Sequence, residues 1–198
     1  MRRRAKSRTG SKILSVFYRL LALAVVACLA FVGLTMSKDT VSSLNGTPAF
    51  EVGFSPKGKS LNIILGGIAR AEKSILVAAY SFTSKPISTA LLDAHKRGVA
   101  VKVVADAKSN SGKYSAVTFL ANQGVPVRVN SRYAIFHHKF MVFDNRHVET
   151  GSFNYSAAAV DRNAENVLLL LDVPEIAKRY AQEWQRLWNE SKEVGPNY

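Results

Sequence analysis

Two apolar, β-branched runs, SILVAAYSF (74–82) and VAVKVVAD (99–106), bracket one well-marked helix, SKPISTALLDAHKRG (84–98). Ser84 can cap that helix, Pro86 sits in its first turn, Ile87, Leu91 and Leu92 share a face, and Gly98 stops it. The same alternation runs on through the chain. AFEVGF (49–54), VPVRVN (125–130), KFMVFD (139–144), HVETGS (147–152) and ENVLLLLD (165–172) read as strands, the third and fourth joined at Asn145-Arg146. SLNIILGGIARAEKS (60–74) has helical spacing, YSAVTFLANQG (114–124) is a short helix ending in Gly, and PEIAKRYAQEWQRLWNES (174–191) closes the chain. In that last helix Ile176, Tyr180, Trp184, Leu187 and Trp188 share one face. Strands alternating with helices in 198 residues predict one α/β domain over 49–194, a mixed β-sheet flanked by helices on both faces.

What precedes residue 49 is different in kind. Residues 1–19 hold seven basic residues and no acid, leaving 20 basic against 14 acidic, a net +6, on the remainder. Leu20 to Met36 then carries no charge. A basic head before such a run predicts a transmembrane anchor over 20–36, with the head in the cytoplasm and the body beyond the membrane. A cleaved signal sequence is the alternative. The setting expected is a bacterial inner membrane with the body in the periplasm, or a periplasmic protein if the segment is cleaved. Residues 37–48, rich in Ser, Asn, Gly and Pro, read as a linker. The single cysteine, Cys28, lies in the apolar run, so the body holds no disulfide. The body's +6 suits a phosphate-bearing partner.

The chemistry concentrates in FHHKFMVFDNRHVETGSFNYS, Phe136 to Ser156. On an extended chain residues two apart point the same way, so His137 and Lys139 share a face and His138 takes the other. Ser152 and Asn154 form a second such pair after Gly151, where a glycine lets the backbone come close to a ligand. Together they offer an imidazole, an ammonium, a hydroxyl and a carboxamide. Lysine and asparagine can bind phosphate oxygens, and imidazole can attack phosphorus or carry a proton. Asp144, ending its strand, can order such a site. A metal centre from His137, His138, Asp144, His147 and Glu149 is the rival reading, but adjacent histidines point apart on a strand. Phe153 and Tyr155 fit either base contact or the core. Lys85, Lys108, Lys113, Arg128 and Arg132 are candidates for a phosphate track, though each alone reads as a solvated charge.

His137-x-Lys139, four residues, Asp144, six residues, then Gly151-Ser152-x-Asn154 resembles the HxKxxxxD…GSxN pattern of the phospholipase D superfamily. The resemblance runs from about Ala49 to Trp188. Within the superfamily AAYSFTSKPISTALLDAHKRGVAVKVVAD, NAENVLLL and the Trp-rich last helix look like the small Nuc-type endonucleases. The resemblance implies that His137 attacks a phosphodiester to form a phosphohistidine and that a second His protonates the leaving oxygen and then activates water. It further implies that Lys139, Ser152 and Asn154 hold the phosphate, and that Glu165 supports the nucleophilic His. Two motif copies are needed and this chain has one, so a homodimer with the site on the two-fold axis is implied. No cofactor or metal is implied, since lysines and asparagines neutralise the phosphate. His138 departs from the acidic residue found beside the nucleophile in some relatives.

Three functions follow as expectations. The first is a metal-independent, sequence-nonspecific endonuclease acting on DNA or RNA. The second is a phospholipase D that releases phosphatidic acid, made credible by the membrane segment. The third is a non-catalytic, membrane-anchored nucleic-acid-binding module.

Overall fold

The computed structural model describes residues 47–112 and 115–195. The basic head, the 20–36 run and most of the linker lie outside the described residues, as does Lys113. Among the described residues no helix is long and apolar enough to cross a membrane.

The strands are β1 (Ala49–Ser55), β2 (Ser74–Ala79), β3 (Ala100–Asp106), β4 (Val127–Asn130), β5 (Lys139–Phe143), β6 (His147–Gly151), β7 (Glu165–Leu171) and β8 (Lys192–Glu193). The helices are α1 (Ser60–Arg70), α2 (Lys85–Lys96), α3 (Ala116–Asn122), α4 (Ala157–Asp161) and α5 (Pro174–Asn189). Among the described residues the strands make one eight-stranded sheet, ordered β1-β7-β6-β5-β2-β3-β4-β8. β2, β3 and β4 run parallel, which requires crossovers, and α2 and α3 supply them. The other pairings are antiparallel, so the sheet is mixed, as the alternation predicted.

Local chemistry sets the boundaries. The Ser84 hydroxyl accepts from the Ile87 N–H and starts α2, and Gly98, at φ +93°, lets the chain leave it. α3 is capped by Ser115 and begins at Ala116, and the expected start at Tyr114 lies outside the described residues. The β5–β6 turn is centred on Asp144 and Asn145, one residue earlier than expected. Both have positive φ, a conformation these two side chains tolerate, and Arg146 N–H closes the turn on the Phe143 carbonyl at 2.9 Å. The 74–82 run leaves the sheet after Ala79, because Phe82 pairs instead with Tyr155. The 60–74 helix stops at Arg70. The five-residue α4 and the two-residue β8 carry no periodicity long enough to be read from sequence.

The sheet buries both faces. One side packs Ile64, Ile68, Ile75, Val77, Leu91, Val103, Leu120 and Met141 beneath α1, α2 and α3. The other packs Ala78, Val104, Phe140, Val142 and Val148 against Ala177, Trp184 and Leu187 of α5. The Trp184 indole donates to the Val77 carbonyl at 2.8 Å. Trp188 stacks on it with ring centres 4.9 Å apart, so both tryptophans pack internally. Ile176 does not follow the expected face of α5 and stands 40% exposed.

α5 leaves part of its side of the sheet open. On the edge strand β1, Phe50, Val52 and Phe54 are 62%, 45% and 65% exposed and, two apart, share one face. Phe50 and Val52 stand opposite Leu170 and Leu168 of β7, both half-buried. Three large exposed apolar side chains in a row on an edge strand are a liability unless something covers them.

Candidate active site

Strand order gathers four strand ends at one end of the sheet. β2 finishes at Ala79, opposite Lys139, where antiparallel β5 begins. β6 returns to that end at Gly151, and β7 departs from it at Glu165.

There His137 and Lys139 both meet Tyr80. The imidazole lies edge-on to the Tyr80 ring with centres 4.7 Å apart, and Lys139 Nζ stands 5.0 Å from the centre of that ring. Lys139 Nζ also donates to the His137 carbonyl at 2.9 Å, which leaves donors free for a ligand. Burial lowers the Lys139 pKa, and the Glu165 carboxylate acts against that. The His137 ring nitrogens have no hydrogen-bond partner among the described residues. His138 points the other way, edge-on to Phe136 and Phe140, with Nε2 3.8 Å from the Glu183 carboxylate.

The second pair arrives through a tight approach. A Cβ on Gly151 would stand 2.1 Å from the Asn166 carbonyl, so only glycine lets β6 and β7 close here. Ser152 can then accept from the Asn166 N–H at 3.1 Å and donate to Glu165 Oε2 at 2.5 Å. Glu165 Oε1 accepts from Asn163 at 3.0 Å. Both oxygens of Glu165 are thus occupied by Ser152 and Asn163, and within one chain the carboxylate makes no bond to His137. Asn154 Oδ1 is buried without a partner among the described residues.

Several supporting residues had no motif to announce them. Asp106 accepts from the Phe136 N–H at 2.8 Å, fixing the approach to His137. Asn110 donates to the Tyr80 and Asp106 carbonyls and accepts from the Phe82 N–H, which pins the chain beneath the imidazole. Phe153 and Tyr155 are buried in the core, so the base-contact reading of them does not hold. The Tyr155 carbonyl accepts from Thr83 and Ser84, and its hydroxyl donates to the buried Glu149 at 2.7 Å. Asn154 therefore sits between two anchored aromatic residues. The one hint in the sequence was Glu149 itself, a lone acid on a short strand.

Burial pushes the Glu149 carboxyl up to about 8, and the Tyr155 bond opposes that. A carboxyl whose folded pKa is raised leaves the fold most stable below its unfolded value of 4.5. That stability drains away as pH climbs toward 8. Glu149→Gln has no such slope. Its melting temperature is expected to gain on wild type by several degrees between about pH 5 and pH 8, and thermal melts across that range check it. A constant difference would mean that Glu149 is ionised in its pocket.

Asp144 lies elsewhere, at the far end of β5 from Lys139. Its carboxylate accepts from the backbone N–H groups of Glu72, Lys73 and Ser74 at 3.0, 2.7 and 2.8 Å, tying the α1–β2 loop to the β5–β6 turn. Burial acts to raise its pKa, but those donors outweigh it and hold the group below its ordinary value. Asp144 thus orders the strand that carries the site without joining the cluster. Asp144→Ala is expected to cost about 2 kcal/mol, less than three full charge-assisted bonds because two of them are open to water. The loss should be complete above the ordinary value of 3.8 and shrink as pH falls through the lower folded value, as denaturation at two pH values would show.

His147 is also at the turn end, where Nδ1 accepts from the Asp172 N–H at 2.9 Å. Strand ends thus separate His147 and Asp144 from His137, and among the described residues no three His, Cys, Asp or Glu converge as metal ligands. Of the basic candidates, Arg128 donates to the Trp188 carbonyl and covers its ring, and Arg132 pairs with Glu190. Lys85 and Lys108 are exposed. A cleft of about 390 Å³ lies between the start of β5 and α5, lined by His137 and Lys139 on one side and Arg179 and Glu183 on the other.

The family model described as "Cardiolipin synthase, PLD-like domain" matches residues 64–188, a span that holds the whole cluster. The chain belongs to the phospholipase D superfamily. The crystal structure of the phospholipase D family member Nuc from Salmonella typhimurium superposes with a TM-score of 0.74 at 40% identity, covering 75% of this chain and 99% of Nuc. NucT from Helicobacter pylori shares the fold, with a TM-score of 0.68 at 24% identity. A phospholipase D of Rickettsia felis is 38% identical over 131 residues, 66% of this chain and 65% of that protein. A mitochondrial cardiolipin hydrolase of Xenopus tropicalis is 37% identical over 123 residues, 62% of this chain and 58% of its own. This phospholipase D superfamily chain thus spans about 65% of the Rickettsia relative's length. The matched span holds His137, Lys139, Ser152 and Asn154 at one end of the sheet and Asp144 at the other.

Proposed function

We propose that the protein is a phosphodiesterase that cleaves nucleic acid without sequence preference, through a phosphohistidine, in a site shared by two copies of the chain. The observation that carries the reading is the convergence of an unbonded His137 imidazole with the Lys139 ammonium at one sheet end. An imidazole nitrogen of His137 attacks phosphorus and the P–O bond to the leaving group breaks. The partner subunit's His137 gives its proton to the leaving oxygen, then takes one from the water that cleaves the P–N bond. Lys139 and Asn154 hold the phosphate oxygens and stabilise the charge that builds there, so no metal is called for. The sequence resemblance to Nuc-type endonucleases, together with the basic body, supports a nucleic-acid substrate.

The open strip of Phe50, Val52 and Phe54 supports the dimer. It is apolar, and its register ends with Phe54 opposite Asn166, the residue that bonds Ser152. A second copy laid on that strip would meet the first beside the cluster, as a two-fold interface requires. The anchor over 20–36 would hold such a dimer at a bacterial inner membrane, with its body outside the cytoplasm.

A second reading is hydrolysis of membrane phospholipid to phosphatidic acid. The names of the Rickettsia and Xenopus relatives favour it. Plasmid DNA and labelled phospholipid vesicles, offered to the full-length chain side by side in excess chelator, separate the two. Nicked DNA with intact lipid supports the nuclease. Phosphatidic acid with intact DNA overturns it.

A further inference from the structure

The 390 Å³ cleft beside the cluster has polar groups on its α5 wall that the reaction above does not use. Most are already neutralised. Arg186 grips both oxygens of Glu183, with Nε 2.9 Å from Oε2 and Nη2 2.6 Å from Oε1. That grip holds the Glu183 carboxyl below its ordinary range. Burial between its aromatic neighbours lowers the His138 pKa, and its Nε2 lies 3.8 Å from the Glu183 carboxylate. Arg179 is the exception. It lies one turn before Glu183 on the same helix and lines the same cleft. Yet it makes no hydrogen bond, ion pair or ring contact with any described residue. The hydroxyl of neighbouring Tyr180 is likewise unbonded among the described residues, although its ring packs on Phe140.

A cleft that opens on the nucleophile thus holds an uncompensated guanidinium in addition to Lys139, and its one acid is taken. The Lys139 charge belongs to the phosphate under attack. A guanidinium free on the adjacent wall matches a second phosphate, which it can grip through two parallel N–H bonds. We propose that Arg179 binds the phosphate next to the one being cut, so that the site selects a polynucleotide over a single phosphodiester. This rests on the nuclease reading and deepens it. Phosphatidylcholine would bring a cation toward Arg179 and no second anion. Cardiolipin carries two phosphates and shares the recognised chemistry, so the test includes it.

The experiment uses the full-length chain with a single-stranded oligonucleotide and with bis(4-nitrophenyl) phosphate, which has one phosphate. In Arg179→Gln the ratio of kcat/KM for the oligonucleotide to that for the small diester should fall about 5- to 10-fold, the loss of one charged contact. The slope of log KM against log salt should shrink by about one. Arg179→Lys should restore much of both, and Lys178→Gln, an exposed neighbour outside the cleft, should change neither. An unchanged ratio, an equal fall on both substrates, or a monomeric Arg179→Gln protein would overturn the assignment while leaving the nuclease reading standing. Hydrolysis of the small diester with no DNA cleavage by wild type would sink the nuclease reading itself. In that event a preference for cardiolipin over phosphatidylcholine that disappears in Arg179→Gln would move the second phosphate to a lipid and overturn the polynucleotide assignment.

Discussion

His137→Ala is expected to abolish phosphodiester turnover, by at least ~10⁴-fold in kcat, while the protein stays folded. The effect is large because one substitution acts twice. In a two-fold site it removes the nucleophile from one copy and the proton donor from the other. The fold should tolerate it because the imidazole is exposed, has no hydrogen bond among the described residues, and meets the Tyr80 ring edge-on. Substrate affinity should survive, since Lys139, Ser152 and Asn154 keep their positions. Steady-state kinetics beside a binding measurement check both halves. Residual turnover within tenfold of wild type would mean that another group attacks phosphorus. Acid-stable labelled protein in His137→Ala would say the same.

Val52→Asp is the second large effect. Val52 is the middle residue of the exposed row on β1, opposite Leu168. In the proposed dimer a carboxylate there would face its own copy across the two-fold interface, where like charges must lose water together. The variant should sediment as a monomer. Its activity should fall more than ~100-fold at nanomolar protein and climb again with concentration, as mass action requires. Folding should be intact because Val52 is already 45% exposed. A monomer with full activity would end the shared-site reading. A dimer with full activity would move the interface to another face.

The layered α/β fold was legible because its signals are local. Apolar runs of strand length, the Ser84 cap and Gly98 each act within a few residues. The expected boundaries erred where a distant partner decided them. β2 stops at Ala79 because Asn110 and Tyr155 claim the backbone that follows. Ile176 fits the helical stripe of α5, yet it stands exposed, and Ala177 joins Tyr180, Trp184 and Leu187 against the sheet. The cluster itself was legible for the same reason. Alternation along β5 put His137 and Lys139 together on Tyr80 and turned His138 away, as spacing by two dictates.

The sequence alone determined the chemical inventory of the site, since a two-residue spacing on a strand fixes which side chains share a face. It also determined the superfamily, because the His-Lys-Asp and Gly-Ser-Asn spacings are features of the chain itself. Strand order decided the rest. The sequence does not say that Asp144 would serve three backbone N–H groups some seventy residues away, nor that Glu165 would bond Ser152 and Asn163. Nor does it say that Arg179 of α5 would line the same cleft as His137. Those contacts join segments far apart in the chain, and their geometry follows from how the sheet is ordered and covered rather than from the pattern of any single segment.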